Sequence, residues 1–284
     1  MKRNGIRHLV IILIAAVLLL PFHGCSGGQE AERKPAAAGS EKKELPSELK
    51  SIRSELDKLI AQLEQTAMIM VDCPTSDDQS GEEEDSGGPE EPKEQGADSV
   101  SKQQSSGSSQ EIWSQIGERV AKLHQDWNEA EAVVIKEGLS TDIRDKFENS
   151  LEELTISTDQ RNVERSLFSA LEVYRYYPEM VDLFESKIPA EYFRLRNAAM
   201  VIRYESGRTK WEEAQQEVPK LKTQWDIIEK NQAIENQQIR QKTENAVNDL
   251  ENAVDKEEIC LVEIKSDILM KNLEEIEKKL NASM

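Results

Sequence analysis

The chain predicts an all-α fold: an antiparallel helical bundle preceded by a tether, one amphipathic helix and a disordered acidic spacer. Three observations carry this expectation. Glu, Lys, Gln, Leu and Ala dominate while aromatics make up 5% of 284 residues, which favours helices over a β-sandwich. Apolar residues recur at steps of three and four over residues 47–71 and again from 110 onward. Between these stretches, residues 72–109 hold Gly, Ser, Pro, Gln and acid with no aromatic side chain, too little apolar surface to offset the entropy of ordering.

The N-terminus opens with Lys2, Arg3 and Arg7, continues as an apolar run over residues 9–20, and reaches the small residue Gly24 before Cys25. That order is a secretory signal. The run is too short for a membrane-spanning helix, which needs about 20 apolar residues. Pro21 breaks the run ahead of Gly24 and Cys25. Gly24-Cys25 resembles the lipobox of bacterial lipoproteins. The resemblance implies removal of residues 1–24, acyl chains such as palmitate on Cys25, and anchorage in membrane lipid on the outer face of a bacterial membrane. Residues 25–46 are small and polar, a flexible tether. Ser47 then caps an amphipathic helix over 47–71 carrying Leu49, Ile52, Leu56, Leu59 and Leu63. The spacer over 72–109 suits reach through a thick cell wall and so favours a single-membrane bacterium.

The bundle domain is expected over 110–284. Ile112, Ile116, Val120, Leu123, Trp127 and Val134 form the first stripe, stopped by Gly138. Ser140 caps a helix holding Phe147, Leu151 and Leu154, and Thr158 or Asp159 starts the next, ended by Pro178. A short helix is expected over 179–187. Pro189 opens another at its first position, closed by Gly207. Residues 211–229 are helical around Pro219, and the tail, 232–282, is charged and helical with Leu250, Val254, Leu261, Ile264 and Ile268 in its stripe. That stripe could also zip to another copy, making a homo-oligomer.

An internal similarity between residues 113–159 and 211–255 reads equally well as a duplication or as chance matching. Trp113 and Trp127 share their spacing with Trp211 and Trp225, and Val120, Leu123, Leu154 and Asp159 match Val218, Leu221, Leu250 and Asp255. The offset is 98 residues at first and 96 later, so one small gap reconciles the copies. Biased composition produces such matches by chance as well. A true duplication predicts two similar three-helix units joined by residues 178–206.

Charge excludes some partners. The net charge is −19, and loss of Lys2, Arg3 and Arg7 with the signal leaves −22. Nucleic acid needs a basic surface, so no nucleic acid is expected as a partner. Cys73 and Cys260 remain after Cys25 and could pair in an oxidising compartment, or stay as two thiols. His124 is the one histidine left, so no metal site or other cofactor is expected. The motifs of serine hydrolases, phosphate-binding loops and zinc peptidases do not occur, and the expectation is a non-enzyme.

Residues 161–211 depart from this background. All five tyrosines lie there, and nine basic residues face seven acids in a strongly acidic chain. Tyr and Arg anchor many binding surfaces, and Tyr192, Arg194, Arg196 and Arg203 are the candidate binding residues. The competing reading makes the tyrosines bundle core and pairs the arginines with Glu from the tail helices; the four tryptophans read as core anchors between helices. The functional expectation is a membrane-anchored envelope lipoprotein that binds or scaffolds an envelope protein or polymer. The alternative is a solute- or glycan-binding lipoprotein that takes an anionic ligand at the Tyr/Arg segment.

Overall fold

A computed structural model describes residues 42–68, 101–230, 234 and 236–282. Eight α-helices account for most of them: α1 Ser47–Met68, α2 Ser101–Lys136, α3 Thr141–Asp159, α4 Val163–Val181, α5 Ala190–Gly207, α6 Trp211–Lys230, α7 Gln237–Asp255 and α8 Ile259–Ala282. Residues 1–24, Cys25, Cys73 and most of the expected tether and spacer lie outside the described residues.

The helices close two rings. Helix α1 packs on α2 and α4, α2 on α3, and α3 on α4; likewise α5 packs on α6 and α8, α6 on α7, and α7 on α8. The pair α4–α5 joins the rings. The repeat is therefore a four-helix unit, not a three-helix one, with α1 and α5 as the first helices. The correspondence reaches single residues. Ser140 and Asn236, 96 apart, cap α3 and α7 by accepting from the N–H groups of Ile143 and Ile239. Leu154 and Leu250 are fully buried at matching places. Arg161 and Glu257 close α3 and α7 with left-handed φ of 53° and 55°. At an offset of 143, Leu49, Ile52, Leu56 and Leu59 match the buried Tyr192, Leu195, Ala199 and Ile202.

Helix α1 is an integral part of the bundle. Leu49, Ile52, Leu56, Leu59 and Leu63 are fully buried, each contributing roughly 2 kcal/mol before chain entropy is charged. Helix α5 is buried on most sides, because α4, α6 and α8 cover it from different directions.

Several boundaries differ from expectation. Residues 42–46 are pinned, not a free tether: Leu45 N–H donates to Glu185 O (3.1 Å), Glu185 N–H donates to Lys43 O (2.7 Å), and Leu45 is buried. Helix α2 begins at Ser101, inside the stretch read as spacer over 72–109, since extending a packed helix costs less than starting one. Helix α3 runs to Asp159, and Asn162 caps α4. Helix α4 continues through Pro178 to Val181, with Pro178, Met180 and Val181 buried; residues 182–189 are a connection in place of the short helix over 179–187. The tail is two helices, broken at Glu257 without Gly or Pro.

Candidate functional site

Of the four candidate residues, Arg194 lines an open pocket of about 400 Å³ with Arg175, Glu179 and Lys220, while Tyr192, Arg196 and Arg203 are engaged with other helices. Tyr192 is fully buried, and its hydroxyl lies 2.9 Å from Glu277 Oε2 and 3.1 Å from Leu273 O. Arg196 pairs with Asp57 on α1 at 3.2 Å. Arg203 pairs with Glu263, with Asp267 at 3.0 Å and with Glu64 at 3.8 Å. Arg194 binds Glu179 at 2.9 Å and Asp182. The side chains of Arg196 and Arg203 are only 13% and 12% exposed. These arginines are cross-helix ties. The steps 57→64 and 196→203 are equal, so α1 and α5 run parallel, while Arg53–Glu277 and Glu64–Arg203–Glu263 show α8 antiparallel to α1.

The ties rest on an aromatic floor. Tyr177 and Phe193 meet edge to face at 5.0 Å, Tyr192 and Phe193 at 5.3 Å, and the Arg53 guanidinium lies 5.2 Å from the Phe193 centroid. Burial dominates the electrostatics. It raises Asp57 and Glu64 above the usual carboxylate range even though Arg196, Arg53 and Arg203 pull the other way. Burial opposes ionisation of Glu277 too, but there the Arg53 hydrogen bonds prevail and hold it low. Burial also pushes the Tyr174, Tyr177 and Tyr192 phenols up, so they stay neutral.

An open cleft of about 680 Å³ lies elsewhere, between α2 and α3. Helix α2 supplies Trp113, Gly117 and His124; α3 and the turn after it supply Thr155, Asp159 and Arg161. The Trp113 ring is half-buried, whereas Trp127 and Trp225 are core anchors as expected. His124 Nε2 lies 2.8 Å from Thr155 Oγ1. Thr155 spends its hydroxyl proton on Leu151 O (2.9 Å), so Nε2 carries the hydrogen and donates. Nδ1 is left as the ring's other polar atom. The same seam of the second unit has Gln215 for Gly117, and Lys222 with Glu251 for His124 with Thr155, the two forming an ion pair at 2.7 Å.

No family model, curated protein or solved structure matches this chain. The cleft therefore stands on its own geometry. Residue type alone does not point to it: Trp113 reads as core, and it does pack against the core while lining the cleft, and His124 reads as a boundary residue. The available signal was Gly117, a glycine inside a helical stripe where the repeat has Gln215. Cys260, at the start of α8, takes part in a disulfide whose partner lies outside the described residues. Of the expected oligomer stripe, Leu250 and Val254 are fully buried within the second unit, while Ile264 and Ile268 are exposed. Among the described residues, no helix is long and apolar enough to cross a membrane and no cluster of side chains could hold a metal ion.

Proposed function

We propose that this chain is a lipid-anchored, extracytoplasmic lipoprotein of a bacterial cell envelope, acting as a non-enzymatic binding or scaffold protein. The observation that carries the binding role is the α2–α3 cleft, a polar and aromatic groove on a body braced by part-buried ion pairs. The location rests on the signal ending at Gly24-Cys25. The half-cystine at Cys260 supports it, because disulfides persist in oxidising compartments. We assign Cys73 as the partner of Cys260. Glu64 near the end of α1 is linked through Arg203 to Glu263, three residues past Cys260, and the five residues from Met68 to Cys73 reach roughly 17 Å. The alternative, an anionic ligand at Tyr192, Arg194, Arg196 and Arg203, loses its recognition groups to carboxylates already bound to them.

The test is crosslinking in intact envelopes with the full chain as bait, beside a variant whose cleft is closed by Gly117→Gln. Capture of a partner or polymer by the wild type and its loss in the variant is the expected result. Equal capture by both moves binding off the cleft. Palmitate labelling checks the anchor: Cys25→Ser is expected to abolish the label and release the protein from membranes, and an unchanged label contradicts the anchor.

A further inference from the structure

Gly117 sits in the middle of α2 with no need for its missing side chain. Its φ is ordinary, and a Cβ added there would meet no atom within 4 Å. A glycine at such a place costs a helix about 1 kcal/mol relative to alanine. Neither packing nor a turn accounts for it, and it lines the cleft between α2 and α3.

The chemistry around it is specific. Trp113, partly buried and packed against the core, presents part of its side chain at one end. The other polar groups are a mixed set: the Gln110 amide, the Ser114, Thr155 and Thr158 hydroxyls, the His124 ring, one carboxylate (Asp159) and one guanidinium (Arg161). Donors and acceptors are both present, and the two formal charges cancel. An anion would meet Asp159 on a chain of net charge −19. An amphipathic helix would need a row of apolar sockets at three- and four-residue steps, and the lining offers Trp113 with only small or deeply buried apolar neighbours, Val120 and Ala121. Along α2 the cleft runs from Gln110 to His124, roughly 20 Å of helix, which suits a strand more than a single small solute.

We propose that the α2–α3 cleft binds a neutral, hydroxyl-rich glycan strand, with one sugar face stacked on Trp113 and sugar hydroxyls donating to Thr155 Oγ1 and Asp159 and hydrogen-bonding His124 Nδ1. The second unit supplies the internal contrast. It keeps the buried face, Val218, Leu221 and Trp225, yet at the same seam it has Gln215 and the Lys222–Glu251 ion pair. One copy of the motif spans the seam with an ion pair, and the other carries a His–Thr hydrogen bond and a glycine.

This inference rests on the binding-protein reading and names its ligand class. Its test is calorimetric titration of the full chain, with tryptophan emission as second readout, using β-1,4-linked hexamers of N-acetylglucosamine and of glucose. The comparison variant, Gly117→Gln with His124→Lys and Thr155→Glu, copies the second unit and should keep the fold by circular dichroism. Trp113→Phe is the second variant, since it keeps a ring of smaller area. The expected result is saturable binding of at least one hexamer, weakened tenfold or more by the triple variant and several-fold by Trp113→Phe. Failure of both hexamers to bind, or equal binding by wild type and both variants, overturns the proposal. If the hexamers fail while envelope crosslinking still captures a protein at the cleft, the glycan assignment alone falls.

Discussion

Arg203 joins carboxylates on two helices, Glu64 on α1 and Glu263 and Asp267 on α8, from a side chain 12% exposed. Removing the guanidinium leaves those acids facing one another in a poorly solvated place. Arg203→Ala is therefore expected to cost about 3 kcal/mol in urea unfolding, with Arg203→Lys recovering only part because a lysine cannot fork between carboxylates. The sign of the pH effect follows from the same cluster. Burial raises Glu64, with Arg203 and Arg196 opposing and Glu263 and Asp267 reinforcing it. The folded chain thus holds this proton more tightly than the unfolded chain, so the stabilisation is full at low pH and is lost as pH rises through the folded value. Stability of the wild type measured against Glu64→Gln should fall between pH 4.5 and the folded value; a difference that stays flat or rises contradicts the assignment. Glu277 runs the other way. It is held low by Arg53 against the opposing effect of burial, and its contribution is lost as pH falls.

Helix α1 shows how much an element's own stripe reveals. Its spacing of Leu49, Ile52, Leu56, Leu59 and Leu63 was legible, but its docking was not, because the 32 residues between α1 and α2 hide the partner. Leu56→Ala should cost about 3 kcal/mol by chemical denaturation, as for a core leucine; a cost near zero would mean a loosely attached helix. The turns were legible where Gly138 marks one and invisible at Thr209 and Glu257, which adopt left-handed φ of 57° and 55° without glycine. A β-branched residue there is strained, so Thr209→Gly should raise stability by about 1 kcal/mol or less, read as a higher urea midpoint. Pro178 misled for the complementary reason: proline marks a helix end only when nothing rewards continuing, and here burial of Met180 and Val181 does. The arginines of α5 were legible as unusual. The partners of Arg196 and Arg203 on α1 and α8 lie more than a hundred positions before and some sixty after them, beyond any local pattern.

At the scale of the whole molecule, one four-helix motif occurs twice, and the first helix of each copy lies against the other copy's charges. Asp57 of α1 meets Arg196 of α5, and Arg53 of α1 meets Glu277 of α8. Arg53 and Arg196 stand at equivalent positions, 143 residues apart, so the two copies contribute matching arginines to one network. The outer seams of the copies have diverged, and the α2–α3 cleft belongs to the first alone in its lining residues. Helix α1 is therefore as much a part of the folded body as α5, although 32 residues separate it from α2. Native-state hydrogen exchange on the full chain tests this most directly. Amides of α1 from Ile52 to Leu63 should be protected to the same level as those of α4 and α5 and be lost together with them in one global opening. Exchange of α1 at the rate of a solvated helix, while α4 and α5 stay protected, would contradict the two-ring architecture and the braced body that the cleft depends on.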